Sequence, residues 1–115
     1  MTVWFWIKII VAVATLGVGI LSIVRPAAAE RFTGLKATGP RGISEIRAVL
    51  GGLFVGLAIA VLIYRTASAF GTLGIAYLAI ALVRLISIFA DRAATTSNLV
   101  SLISEVVFGV LLLMP

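Results

Sequence analysis

Cysteine and histidine are both missing from this sequence. Their absence excludes disulfides, thiolate nucleophiles, cysteine-held iron–sulfur clusters and the imidazole ligands on which haem and most transition-metal sites depend. Charge is almost as scarce. Only 11% of the 115 residues carry it, against 63% hydrophobic, and the mean hydropathy is +1.29. So few polar side chains cannot coat a water-soluble domain of this size, so the chain belongs in lipid. Four spans and their connections take up nearly every residue, which leaves no room for a soluble catalytic domain. The small charged complement is lopsided, with a net charge of +5. Its basic residues stand beside apolar runs instead of forming a solvated stripe, which points to membrane topology and anionic lipid and away from nucleic acid.

The first apolar run, Val3 to Val24, reaches about 33 Å as a helix and so crosses a hydrocarbon core of about 30 Å. Trp4 and Trp6 mark its outer interface, and it ends at Arg25-Pro26, where proline disfavours helix for the residue before it. Residues 25–44 carry Arg25, Glu30, Arg31, Lys36 and Arg41 with Gly34, Gly39, Pro40 and Gly42, and read as one long polar loop. Ser44 is the expected N-cap of a second helix over 45–64, with Glu45 at the positive end of its dipole. Arg65-Thr66 then forms a tight turn, a third helix runs over 67–90 and closes at Asp91-Arg92, and a fourth runs over 98–114. None of these runs alternates as a membrane barrel strand must. The expectation is an all-α fold, a single domain over 1–115 built as an integral membrane up-and-down bundle of four transmembrane helices.

Ala27-Ala28-Ala29 after an apolar stretch imitates a secretory cleavage site, but the run is longer than a signal core and no basic cluster precedes it, so a retained helix is expected. With four spans the 25–44 loop shares a side with the Asp91–Ser97 connection. That side holds Arg25, Arg31, Lys36, Arg41 and Arg92. The positive-inside bias therefore places the loop in the cytoplasm and both termini outside.

A few polar residues stand inside the spans. Arg84 and Glu105 both lie roughly 9 to 11 Å below the same surface, by helical rise, and an unpaired arginine at that depth is costly. Tyr77, Arg84 and Asp91 recur at two-turn spacing on the third helix, and Asn98, Ser101 and Glu105 at one-turn spacing on the fourth, so two polar stripes can meet. The pair either sets register as a structural ion pair or binds a ligand, a lipid headgroup or a proton. Lys8 shares a face of the first helix with Ala12, Thr15, Gly19 and Ser22; that face is expected to point inward, with Lys8 snorkelling to the nearby interface.

Ala48, Gly52, Gly56 and Ala60 form a small-residue ridge on the second helix, containing a Gly-x-x-x-Gly pattern that admits close approach of another backbone. The partner is either a helix of the same chain or one from another subunit. Glu45 lies on the ridge face, whereas Arg47 is about 200° further round an ideal helix. Arg47 either curls back from the first turn or serves lipid headgroups.

The string Ser44-Glu45-Ile46-Arg47-Ala48, followed by Gly51-Gly52-Leu53 and Gly56, resembles a family of small bacterial four-helix membrane proteins of unknown function related to the DoxX-like group. Arg84, Asp91 and Glu105 look like that family's other polar landmarks, so the resemblance covers most of the chain. It departs from the pattern at Val83 and Arg92, where glycine is expected just before the arginine and just after the aspartate. The resemblance implies the topology and a polar cluster, without a reaction.

The expected function is that of a small non-enzymatic membrane protein, an accessory or structural subunit that packs against other membrane helices or a second copy of itself. The competing expectation is binding or transport of a small molecule, lipid or ion at a polar cluster of Glu45, Arg47, Arg84, Asp91 and Glu105 on the loop side. Membrane lipid is an expected partner and nucleic acid is not. No cofactor or metal site is expected, and any redox chemistry would have to be borrowed from a partner's centre.

Overall fold

The computed structural model describes residues 2–115. Its helices are α1 (Val3–Val24), α2 (Pro26–Thr33), α3 (Pro40–Tyr64), α4 (Ala67–Ala90) and α5 (Thr96–Leu113), and no strand occurs among the described residues. Helices α1, α3, α4 and α5 are each long and apolar enough to cross a membrane.

The chain differs from its sequence reading most between the first two spans. Residues 25–44 are not a continuous loop. Pro26 opens α2 from the N1 position, where its missing N–H costs nothing, and Ala27, Ala28 and Ala29 carry the helix forward on high propensity. Gly34 ends it in the left-handed conformation (φ +75°), its N–H donating to the Glu30 carbonyl. Glu30 also reaches across the turn, its carboxylate accepting from the Ala37 N–H at 3.4 Å. Pro40 then opens α3 in the same way, so Ser44 lies inside the helix and Gly39 takes the N-cap position.

The later boundaries follow side-chain caps. Arg65 adopts φ +51° after α3, and the Thr66 hydroxyl accepts from the Ala69 N–H to start α4. Thr95 does the same for α5 through the Asn98 N–H, which puts the start of that helix at Thr96 and its end at Leu113. Between them Arg92 sits at φ +53°, a left-handed position that favours glycine. The family resemblance leads to glycine at that point, and the backbone gives the physical reason.

Within α3, Ile46–Leu53 is wound as a π-helix. Such segments are rare and usually confined to a single turn, and they often accompany functional sites. The π segment covers the motif from Ile46 through the paired glycines Gly51-Gly52.

The chain divides into two compact units, with α1 contributing to both. One contains α1 through Val11 together with Tyr64–Pro115. Here α4 and α5 pair antiparallel, with Arg84 beside Asn98 at one end and Gly74 against Gly109 toward the other. A methyl group at Gly74 would lie 3.0 Å from the Gly109 carbonyl oxygen, so the glycines set how closely these helices approach. Tyr77 is buried against Phe108, ring centroids 5.5 Å apart in an edge-to-face arrangement.

The other unit, Ala12–Ile63, contains the rest of α1, α2 and most of α3. Its α1 face of Ala12, Thr15, Gly19 and Ser22 is buried. The Ser22 hydroxyl satisfies itself on the Val18 carbonyl at 2.9 Å. Gly19 and Gly51 bring α1 and α3 together: a Cβ on Gly19 would stand 2.9 Å from the Val55 nitrogen, and one on Gly51 2.3 Å from Ile23 Cγ1.

Candidate functional site

Glu105 is buried at 8% exposure on α5, in the middle of a helix half of whose residues are valine or leucine. Such a carboxylate needs charged hydrogen-bond donors, and α4 supplies them from Arg84. The Arg84 Nε lies 2.9 Å from each oxygen of Glu105, and its Nη2 lies 2.6 Å from Oε1. On the other side of the guanidinium, Nη1 donates to Asn98 Oδ1 at 2.7 Å. Asn98 in turn donates from Nδ2 to the Ala93 carbonyl at 2.9 Å, tying the network to the α4–α5 turn. No buried side-chain nitrogen or oxygen among the described residues lacks a partner.

The structure thus brings two of the expected cluster residues together, Arg84 and Glu105, and adds Asn98 from the expected α5 stripe. Asp91 does not join them. Its Oδ2 accepts from the Ser87 hydroxyl at 2.6 Å, one turn back on its own helix. Beside this network an open groove of about 540 Å³ is lined by Ala79, Ile80, Val83, Arg84, Ser87 and Asn98. Three apolar side chains and three polar ones make it an amphipathic surface. Val83, standing where the resemblance leads to glycine, narrows it.

Lys8, in the same unit, is buried at 8% exposure instead of reaching water. Its ammonium donates to the carbonyl of Met114, the C-cap of α5, and sits 5.6 Å from the centroid of the Phe70 ring. A cation at a helix C-terminus complements the dipole, and the aromatic face adds a cation–π contact. Snorkelling into headgroups is therefore replaced by an internal cap on the last helix.

In the other unit, Glu45 pairs with Arg41 one turn earlier, Nε to Oε1 at 3.1 Å, with both side chains well exposed (88% and 55%). An exposed i,i+4 pair contributes only about 0.3–0.5 kcal/mol and leaves the carboxylate available to solvent. Arg47 is exposed and makes no ion pair or side-chain hydrogen bond among the described residues. It lines a groove of about 490 Å³ with Ile23, Pro40, Ile43, Ser44 and Ala48. A second groove of about 310 Å³ lies on Leu35, Lys36, Ala37, Gly42, Glu45, Ile46, Val49 and Leu50. Among the described residues no group of three acidic side chains is placed to hold a metal ion.

The expected packing ridge is open at its two glycines among the described residues. A Cβ on Gly56 would meet nothing within 4 Å, and one on Gly52 only its own helix's Arg47 carbonyl oxygen at 3.9 Å. Ala48 is exposed beside them, and Ala60 is half-buried. The glycines used for close approach inside each unit are Gly19 with Gly51 and Gly74 with Gly109. Helical spacing places Gly19 on the inward face of α1, whereas Gly51, Gly74 and Gly109 have no small residue four positions away on either side, so spacing gives no signal for them.

No curated protein and no solved structure matches the chain. The family model described as Domain of unknown function (DUF4345) matches residues 4–114, and the chain therefore belongs to that family.

Proposed function

We propose that this protein is a small non-enzymatic integral membrane protein whose role is to pack against other membrane helices as an accessory or structural subunit. In this reading the four apolar helices span a bacterial inner membrane up and down, and the DoxX-like relation implied by the Ser44–Gly56 string holds. The observation that carries it is the open face of α3. Gly51 is already occupied by α1, while Gly52 and Gly56 on the same helix have no neighbour that a side chain would disturb. A glycine surface left bare on a membrane helix is suited to close approach by a second helix. The charge network supports the same reading, since Arg84, Glu105 and Asn98 satisfy one another and act as a register pin between α4 and α5.

The test is assembly in mild detergent. Gly52→Leu and Gly56→Leu are expected to retain the helix content and unfolding midpoint of the wild type while losing the complex seen by cross-linking and light scattering. Retention of the same complex by both variants rejects the reading. Recovery of a homo-oligomer identifies the partner as a second copy, and co-purification of another membrane protein identifies an accessory subunit.

Orientation is tested separately. The chain has no native cysteine, so an introduced one is the only label target. Cysteines at Thr38 and Ala94 are expected to react with an impermeant maleimide only after the inner face is opened, and one at Thr2 before. Ala94 is used because Thr95 caps α5. Labelling of Thr38 and Ala94 from opposite faces would reject the four-span topology.

A second reading, binding of a small molecule, lipid or ion, is favoured by the groove beside Arg84, where Ser87 and Asn98 add hydrogen-bonding groups to an apolar wall.

A further inference from the structure

The polar segment between the first two spans carries more positive charge than its own acids neutralise. Residues 25–47 contain Arg25, Arg31, Lys36, Arg41 and Arg47 against Glu30 and Glu45. Arg41 is paired with Glu45, and Glu30 accepts a backbone N–H from Ala37. The remaining cations make no ion pair among the described residues.

One of them is placed differently from the rest. Arg47 lies on the π-helical segment of α3 and lines a concave surface whose other walls are Ile23, Pro40, Ile43, Ser44 and Ala48. Ile23 belongs to the last turn of α1 and Pro40 is the first residue of α3, so the groove lies at the ends of two apolar spans. It therefore combines a free guanidinium and a hydroxyl with exposed aliphatic surface. A guanidinium and a hydroxyl are donors for a phosphate, and the aliphatic walls suit the methylenes that follow it in a lipid.

We propose that the groove formed by Ile23, Pro40, Ile43, Ser44, Arg47 and Ala48 binds an anionic phospholipid, with its phosphate on Arg47 and Ser44 and its upper acyl chain on Ile23, Ile43 and Ala48. Charge complementarity selects the occupant. The groove's only charged wall is Arg47, and the neighbouring unpaired Arg25, Arg31 and Lys36 raise the local concentration of anionic headgroups over zwitterionic ones. The π-helical winding is the second feature that distinguishes this site from an ordinary basic membrane flank. The site does not depend on α3 having a protein partner.

The full chain is reconstituted into phosphatidylcholine bilayers containing a trace of spin-labelled phosphatidylglycerol or, in parallel, spin-labelled phosphatidylcholine. The motionally restricted fraction gives the relative association of the two lipids. Phosphatidylglycerol is expected to be preferred about fivefold, the selectivity of one surface charge contact. Arg47→Gln should remove most of the preference with unchanged helix content, leaving only the share that high salt also removes, and Arg47→Lys should restore part of what is lost. Combined Arg25→Gln, Arg31→Gln and Lys36→Gln should remove only the share that high salt also removes. Gly56→Leu, which breaks assembly in the function proposed above, should keep the lipid preference, so the two ideas fail separately. No preference in the wild type, an unchanged ratio in Arg47→Gln, or complete loss in the triple variant with Arg47 intact would each overturn the site.

Discussion

Glu105→Ala is expected to lower the unfolding free energy by about 3–5 kcal/mol, measured by titrating the protein from mild into denaturing detergent, because it leaves the Arg84 guanidinium in the α4–α5 contact without its anion. Three contacts of 2.6 to 2.9 Å disappear together, and only Asn98 Oδ1 remains to the arginine. The arginine cannot relieve the cost by shedding a proton. Its side chain is 29% exposed, so it can turn partly into the neighbouring groove, which places the loss toward the lower part of the range. The double variant Arg84→Ala with Glu105→Ala removes both charges and their desolvation penalties, and is expected to lie within about 1–2 kcal/mol of the wild type. A single variant as stable as the double would show that the pair carries no coupling. Function separates from structure in the same experiment. A double variant that folds and assembles but loses a ligand makes the network a binding site, and one that loses nothing leaves it as a register pin.

That pair was legible from sequence because, in helices long and apolar enough to cross a membrane, depth is a constraint. Helical rise from the two ends of the Asp91–Ser97 connection gives Arg84 and Glu105 the same depth, and neither charge is tolerable there alone. The four apolar helices were legible because continuous apolar runs of that length lack the alternation of a barrel strand, and a helix is then the form that satisfies their backbone hydrogen bonds away from water. Asn98 was visible only as a member of a stripe. Its second function, holding the turn through the Ala93 carbonyl, depends on the left-handed Arg92 that lets the chain reverse.

What composition hid was local. Glycines and prolines between the first two spans read as a loop, yet Pro26 and Pro40 are both helix openers, and only Gly34 stops a helix there. Glu45 and Arg47 line different grooves, in keeping with their separation of about 200° on an ideal helix, although the segment between Ile46 and Leu53 is wound as a π-helix. The adjacent Gly51-Gly52 pair shows the limit most clearly. Either glycine could have faced the neighbouring helix. The rotation of α3 decided for Gly51, and four-residue spacing had drawn attention to Gly52 and Gly56.

The glycines of α1 offer the sharpest contrast available in this chain, because two of them stand two positions apart and should respond to alanine with opposite sign. Gly17 is exposed, and a Cβ there meets nothing within 4 Å. Gly17→Ala is therefore expected to stabilise by about 0.5–1 kcal/mol through reduced backbone freedom and better helix propensity. At Gly19 the same methyl group would stand 2.8 Å from Val55 Cγ2, 2.9 Å from the Val55 nitrogen and 3.0 Å from the Gly51 carbonyl oxygen. The valine rotamer can change, but the backbone atoms cannot withdraw without separating α1 from α3. Overpacking of this kind costs about 1–3 kcal/mol, which outweighs the propensity gain. Gly74→Leu should behave similarly in the other unit, where the Gly109 carbonyl oxygen lies 3.0 Å and Leu112 Cβ 3.1 Å from the added carbon. Unfolding by detergent titration reads both effects. Equal stability of Gly17→Ala and Gly19→Ala would mean that α1 and α3 do not approach at Gly19. Loss of stability in Gly19→Ala together with rescue by Val55→Ala would leave part of the clash with the side chain, whereas failure of that rescue locates it in the backbone.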